Sequence, residues 1–156
     1  EGDDQLISLP DLIRLLVSTV ANNGNLLINI GPKADGTIPA EQEKRLLALG
    51  EWLQINGEGI YDTRCSTREN REKDDKNAGK ELWYTKKGAD LYIYSGGLTE
   101  GENHVEIPDL SIPVTSLDNR LIIENVPTEK GMRLIIKNYK HDMHIVGFKA
   151  AGAEKE

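Results

Sequence analysis

The hydrophobic positions in the N-terminal part of the chain fall into a helix, a short run and a second helix. Leu12, Ile13, Leu16, Val17 and Val20 recur at helical spacing, with Leu15 beside them, so one face of this segment is apolar and seeks a core. Ser8-Leu9-Pro10-Asp11 precedes that face. It has the Ser-x-x-acid form of a capping box, and Pro10 suits a first turn. Asn22-Asn23-Gly24 is a stop signal. Leu26-Leu27-Ile28-Asn29-Ile30 follows, closed by Gly31-Pro32. A short apolar run between such signals predicts a strand buried on both faces. Pro39 then opens a second helix, reaching Ile55, with Leu46, Leu49, Trp52 and Leu53 as its buried face. Glu41 and Arg45 are spaced as an i,i+4 surface pair, and Asn56-Gly57 ends the helix. Helix, buried strand, helix is the rhythm of an α/β fold with a parallel sheet.

From Arg64 to Glu81 the pattern changes. Thr67 to Asn77 contains no apolar residue, which predicts a solvated linker or long loop. Beyond it the helical period disappears and short β-forming runs take over. They are Leu82 to Lys86, Asp90 to Ser95, His104 to Ile107, Val114 to Leu117, Arg120 to Glu124, Met132 to Lys137 and Ile145 to Phe148. Turn signals such as Lys87-Gly88, Gly96-Gly97, Asp118-Asn119 and Lys130-Gly131 separate many of them. Such spacing predicts an antiparallel sandwich. The expected division is 1–63 for the α/β part, 64–81 for the linker, 82–149 for the sandwich and 150–156 for a frayed tail. No internal repeat is visible.

Composition narrows the function classes. The chain of 156 residues carries a net charge of −7. That excess of acid argues against a partner bound through its phosphate backbone, which calls for a basic patch. No apolar run approaches the roughly 18 residues of a membrane span. Cys65 is the single cysteine, so no intramolecular disulfide forms, and a lone cysteine does not fix the compartment. The start at Glu1-Gly2-Asp3-Asp4, without Met, reads like a piece cut from something longer.

Candidate chemistry centres on the apolar run. Asn29 is its one polar member, at the C-terminal end of the expected strand, where ligands bind in barrels and open α/β sheets. Two readings stand: a site residue, or an amide that ties down the following Gly-Pro turn. Asp35-Gly36 is a turn dipeptide, and the turn explains Asp35 better than an acid at the mouth of a site. His141 and His144 stand three apart at the entry to a strand, where their side chains diverge, so a shared metal is not expected. His104 is isolated. Cys65 beside Arg64 lacks a partner base. Trp83, Tyr84, Tyr92 and Tyr94 read as core and cross-strand packing, with a sugar-stacking face as the alternative.

Two blocks carry a resemblance. Gly24-Asn25-Leu26-Leu27-Ile28-Asn29-Ile30-Gly31-Pro32-Lys33-Ala34-Asp35-Gly36-Thr37-Ile38-Pro39 closely resembles a signature of the α-L-fucosidase family of retaining glycosidases. So does Leu49-Gly50-Glu51-Trp52-Leu53 followed by Asn56-Gly57-Glu58-Gly59-Ile60-Tyr61-Asp62-Thr63-Arg64. The order and approximate spacing match as well. Tyr84 to Tyr92 looks, more weakly, like the opening of the family's C-terminal sandwich. The sequence departs at Cys65, where relatives often have Pro, and in the charged run that follows.

The resemblance implies the end of a (β/α)8-type barrel followed by a β-sandwich. On it, Leu26 to Ile30 is the last barrel strand and Pro39 to Ile55 the last barrel helix. A full barrel takes about 250 residues, so the chain looks like a C-terminal portion. The family's nucleophile and acid/base carboxylates lie on earlier strands, and no position here matches them. No catalytic residue is therefore carried over. Asn29, Gly31 and Pro32 are the possible rim of the sugar site. The implied partners are a fucosylated glycan and the remainder of the barrel or a second chain, with no cofactor, metal, nucleic acid or membrane. The family is often secreted, periplasmic or lysosomal, and the sequence leaves the compartment open. The rival reading is a non-catalytic β-sandwich that binds carbohydrate or a partner.

Overall fold

The computed structural model describes residues 6–74, 77 and 79–154. The opening Glu1 to Asp4, part of the charged run and the last two residues lie outside the described residues. Two helices and nine strands are present among those described. Helix α1 is Leu9–Ala21 and α2 is Ala40–Asn56. The strands are β1 (Arg64–Cys65), β2 (Arg71–Asp74), β3 (Lys80–Lys87), β4 (Asp90–Gly96), β5 (Gly101–Pro108), β6 (Thr115–Ser116), β7 (Ile123–Thr128), β8 (Gly131–Tyr139) and β9 (Val146–Ala150).

The expected sandwich is there. One sheet runs β1-β3-β4-β9-β6, with β2 also on the β3 edge; the other runs β5-β8-β7. Every pairing is antiparallel. Leu82, Tyr84, Leu91 and Ile93 point between the sheets, against Val105, Leu134 and Ile136. Their alternates Trp83, Tyr92 and Tyr94 point the other way, against Leu12, Ile13 and Val17 of α1 and Leu49 and Trp52 of α2. The central strands are thus buried on both faces, and the molecule has three layers: helices, large sheet, small sheet.

Helix α1 follows its sequence signals. Ser8 caps it, its Oγ accepting from the Asp11 N–H at 3.2 Å, and Asn23 ends it in the left-handed region at φ 60°. The i,i+4 pair of α2 does not form. Glu41 instead pairs with Lys44 at 2.7 Å, while the Arg45 guanidinium donates to the Ile7 carbonyl.

Leu26 to Ile30 is not a strand in this structure, which corrects the expected buried element. The segment has no ladder partner among the described residues, and Leu27 is 84% exposed. A strand needs a neighbour for its N–H and C=O groups, and both sheets of this chain lie elsewhere. No parallel sheet is present among the described residues.

The charged stretch is more structured than its composition suggests. It holds β1 and β2, both edge strands on β3, where the exposed Arg64 and Glu72 discourage further pairing. Between them, Asn70 accepts the Tyr84 N–H at 2.9 Å and donates to the Ala21 carbonyl at 3.2 Å. Arg68 donates to the carbonyls of Pro108 and Asp109 at 2.9 and 3.1 Å. The expected fraying after Ala150 is also absent as far as Glu154, whose N–H donates to the Ala89 carbonyl at 3.0 Å.

One strand is shifted. Expected over Arg120 to Glu124, it runs Ile123–Thr128. The nearly buried Asp118 carboxylate folds Arg120 back on itself, with Nη2 donating at 2.6 Å. Pro127 is tolerated because β7 is an edge, paired only with β8.

The helices are fastened to the sheet where α2 ends. Trp52 Nε1 donates to the Ile145 carbonyl at 2.8 Å. Asn56 Oδ1 accepts the Gly147 N–H at 3.0 Å, and its carbonyl accepts from Tyr94 Oη at 2.5 Å. Thr85 Oγ1 donates to the Gly59 carbonyl at 2.6 Å. Glu58 accepts from Tyr92 Oη at 2.9 Å and Lys149 Nζ at 2.8 Å. Two glycines allow this approach: a Cβ on Gly59 would lie 2.5 Å from Tyr94 Oη, and one on Gly147 would lie 2.8 Å from a Leu117 methyl.

Two outcomes are expected. Gly59→Ala should lower stability by about 1–3 kcal/mol through overpacking, seen as a lower denaturant midpoint at unchanged m-value. The hydrogen bonds from Lys149 and Tyr92 hold the Glu58 carboxyl below the usual carboxylate range. Its folded pKa is the lower one, so its stabilisation is present above the unfolded value and is lost as pH falls through the folded one. Glu58→Gln should therefore flatten the acid-side loss of stability below about pH 4.3, measured as melting temperature against pH.

Candidate functional site

The candidate rim lies between α1 and α2. After Gly24 the chain runs without a ladder partner through Asn29 to Gly31 and Pro32, all exposed. Lys33 to Thr37 then closes on itself. The Lys33 N–H donates to the Thr37 carbonyl at 2.8 Å, and Gly36, at φ 84°, donates to the Lys33 carbonyl at 2.9 Å. Asp35 is the pin of this turn: Oδ1 accepts from the Thr37 N–H at 3.0 Å and from Thr37 Oγ1 at 2.7 Å. The Thr37 hydroxyl bond, foremost, holds the Asp35 carboxyl below its ordinary value. Asp35 thus does the work of a turn residue.

The Gly31-Pro32 turn is tied down, and the residue that ties it is Gln42. The Gly31 N–H donates to Gln42 Oε1 at 2.8 Å. Asn29 makes no hydrogen bond to another described residue, so it does not hold the turn in this structure. Gly31 and Pro32 are brought to the first turn of α2, and Asn29 remains solvated beside them. Sequence reasoning passed over Gln42. The signal that finds it is a glutamine in the first turn of a helix whose cap residue is proline.

The aromatic alternative fails on burial. Trp83, Tyr84, Tyr92 and Tyr94 are at most 2% exposed. Three of them are covered by the helices and Tyr84 lies between the sheets, so they offer no platform to a sugar. Tyr94 stacks near Trp52, with ring centroids 6.0 Å apart.

Cavities lined by described residues flank the sandwich. One of about 650 Å³ is lined by Arg71, Asn77, Glu106, Lys130 and Arg133 among others. There the Arg133 guanidinium pairs with Glu106, and Asn77 closes on the Glu106 backbone with two bonds of 3.0 Å. Another, about 520 Å³, lies beside the start of α1 and includes Arg14, Tyr139, His141, Asp142 and His144. Arg14 is engaged there by the nearly buried Glu81 at 3.1 Å. Burial holds His144 below its usual pKa, against the pull of Asp142. Among the described residues no group of three or more His, Cys, Asp or Glu is placed to hold a metal ion, and no helix is long and apolar enough to cross a membrane.

Comparisons with known proteins bear on the same segments. The family model described as Alpha-L-fucosidase matches residues 1–58. The plasma alpha-L-fucosidase of Rattus norvegicus is 32% identical over 157 aligned positions, covering 85% of this chain and 33% of that protein. The tissue alpha-L-fucosidase of Mus musculus is 46% identical over 82 positions, covering 53% of this chain and 17% of that protein. Among solved structures, the Thermotoga maritima alpha-fucosidase superposes with a TM-score of 0.75 at 30% identity, covering 97% of this chain and 36% of that one. Its complex with fucose gives 0.70 at 34% identity. The chain spans a third or less of the length of these curated relatives. Matched in sequence over as much as 85% of its length and in fold almost throughout, the chain belongs to the α-L-fucosidase family and corresponds to a part of its relatives' longer polypeptides.

Proposed function

We propose that this chain supplies the C-terminal part of a retaining α-L-fucosidase that removes terminal α-linked L-fucose from glycans. On this reading residues 1–63 complete a (β/α)8 barrel and residues 82–149 form the accompanying sandwich. Leu26 to Ile30 becomes a barrel strand once upstream strands give its backbone partners. Its Asn29-to-Pro32 end then lies at the C-terminal end of that strand, where barrels bind ligands.

Retaining glycosidases use two carboxyl groups about 5–5.5 Å apart, one as nucleophile and one as acid/base, through a covalent glycosyl-enzyme intermediate. In this proposal both carboxyls come from the upstream barrel. This chain contributes shape: a rim held by Gln42 and the Asp35 turn, and a barrel end braced against the sandwich by Trp52 to Gly59. The reaction asks for no cofactor.

The observation that carries the proposal is the exposed apolar run. Leu27, Ile28 and Ile30 are 84%, 37% and 42% exposed, within the block whose sequence matches the family. Apolar surface of this kind marks an interaction site, and a relative of nearly three times the length supplies the material to cover it.

The 156-residue chain alone is expected to leave an aryl α-L-fucoside intact, while the full-length polypeptide hydrolyses it with retention. Hydrolysis that scales with the concentration of the short chain would contradict the proposal. Leu27→Ser should reduce self-association of the short chain in analytical ultracentrifugation and change its stability by no more than about 0.5 kcal/mol, as for other exposed sites.

A further inference from the structure

The start of α2 departs from the usual capping pattern, and the departure explains the bond to Gly31. Pro39 is the cap residue of α2 and makes no side-chain cap bond. Gln42 stands three residues later, where a Gln side chain ordinarily reaches back to the cap residue's N–H. Pro39 has no N–H to give. The Gln42 carbonyl is left free for another donor, and Oε1 takes the Gly31 N–H at 2.8 Å. The Gln42 backbone stays in the helix, its N–H donating to the Pro39 carbonyl at 3.0 Å. The acceptor is therefore carried on a rigid element. Pro32 is held on both sides, by the Gly31 bond before it and by the self-closed Lys33–Thr37 turn after it.

We infer that Gln42 is a positioning residue for the Gly31-Pro32 rim of the sugar site, an inference that rests on the functional reading above. It does not touch the reacting atoms. It sets the rim through the Gly31 backbone, and the missing proline N–H is what frees it to do so.

Two substitutions separate positioning from bulk structure. Gln42→Met removes the acceptor at similar volume. Gln42→Glu keeps an acceptor oxygen and puts its charge in a first helical turn, which the helix dipole favours. In the 156-residue chain, hydrogen exchange at the Gly31 amide, followed by NMR, should speed up about 2- to 10-fold in Gln42→Met, the scale of one hydrogen bond, and return toward the parent rate in Gln42→Glu. In the full-length enzyme, Gln42→Met should raise KM for an aryl α-L-fucoside about 2- to 10-fold with kcat within about twofold, as for loss of uniform binding, and Gln42→Glu should restore KM. A merely structural role would instead lower melting temperature and kcat at constant KM. Unchanged Gly31 exchange in Gln42→Met would overturn the bond. Faster exchange with unchanged KM would overturn its role in the rim. An unsubstituted full-length enzyme without fucosidase activity would overturn the functional reading and the role with it, while the exchange measurement would still decide whether the bond exists.

Discussion

The rest of the structure depends on the fastening of α2 to the central strands. At one end of that helix, Trp52 reaches the Ile145 carbonyl and Asn56 takes the Gly147 N–H. Tyr94 and Thr85 reach back to the carbonyls of Asn56 and Gly59. All four of these contacts are buried, and a buried polar group without a partner costs about 1–3 kcal/mol. The network therefore specifies one docking geometry, and the apolar contacts of Leu12, Ile13, Val17 and Leu49 fill in around it. Once α2 is fixed, the turn at its other end is fixed too.

This arrangement makes the two halves of the chain one packed body. Trp83, Tyr92 and Tyr94 form the outer face of the sandwich and the floor under the helices at once. The helices are held by the sandwich, with no barrel needed for their inner faces. The run between them has no such support. From Leu27 to Ile30 it is exposed, and it has no ladder partner among the described residues, which is the state the proposed function expects of a strand whose neighbours come from another part of the polypeptide.

Much of the fold was legible in the sequence. The caps of α1, the Asp35-Gly36 turn and the β-strands after residue 81 other than β7 follow from local chemistry that tertiary packing did not override. What failed did so for physical reasons. Leu26 to Ile30 carries the composition of a strand, but composition does not supply a ladder partner. Thr67 to Asn77 lacks apolar residues, yet edge strands need only backbone pairing. The position of β7 was displaced by a carboxylate folding Arg120 back, a contact no periodicity reveals. At the candidate rim, Gly31 and Pro32 were found as turn residues, whereas Gln42 was masked because a lone glutamine in a first turn looks like any surface residue until the proline cap is considered with it.

The most direct test of the account is hydrogen–deuterium exchange compared between the 156-residue chain and the full-length polypeptide. In the short chain the amides of Asn25 to Ile30 should exchange as fast as an unprotected segment, while those of Leu82 to Ser95 are strongly protected. In the full-length polypeptide Asn25 to Ile30 should join the slow class, as a strand paired on its edges. Fast exchange of Asn25 to Ile30 in the full-length polypeptide would contradict the claim that this run is a barrel strand awaiting its neighbours.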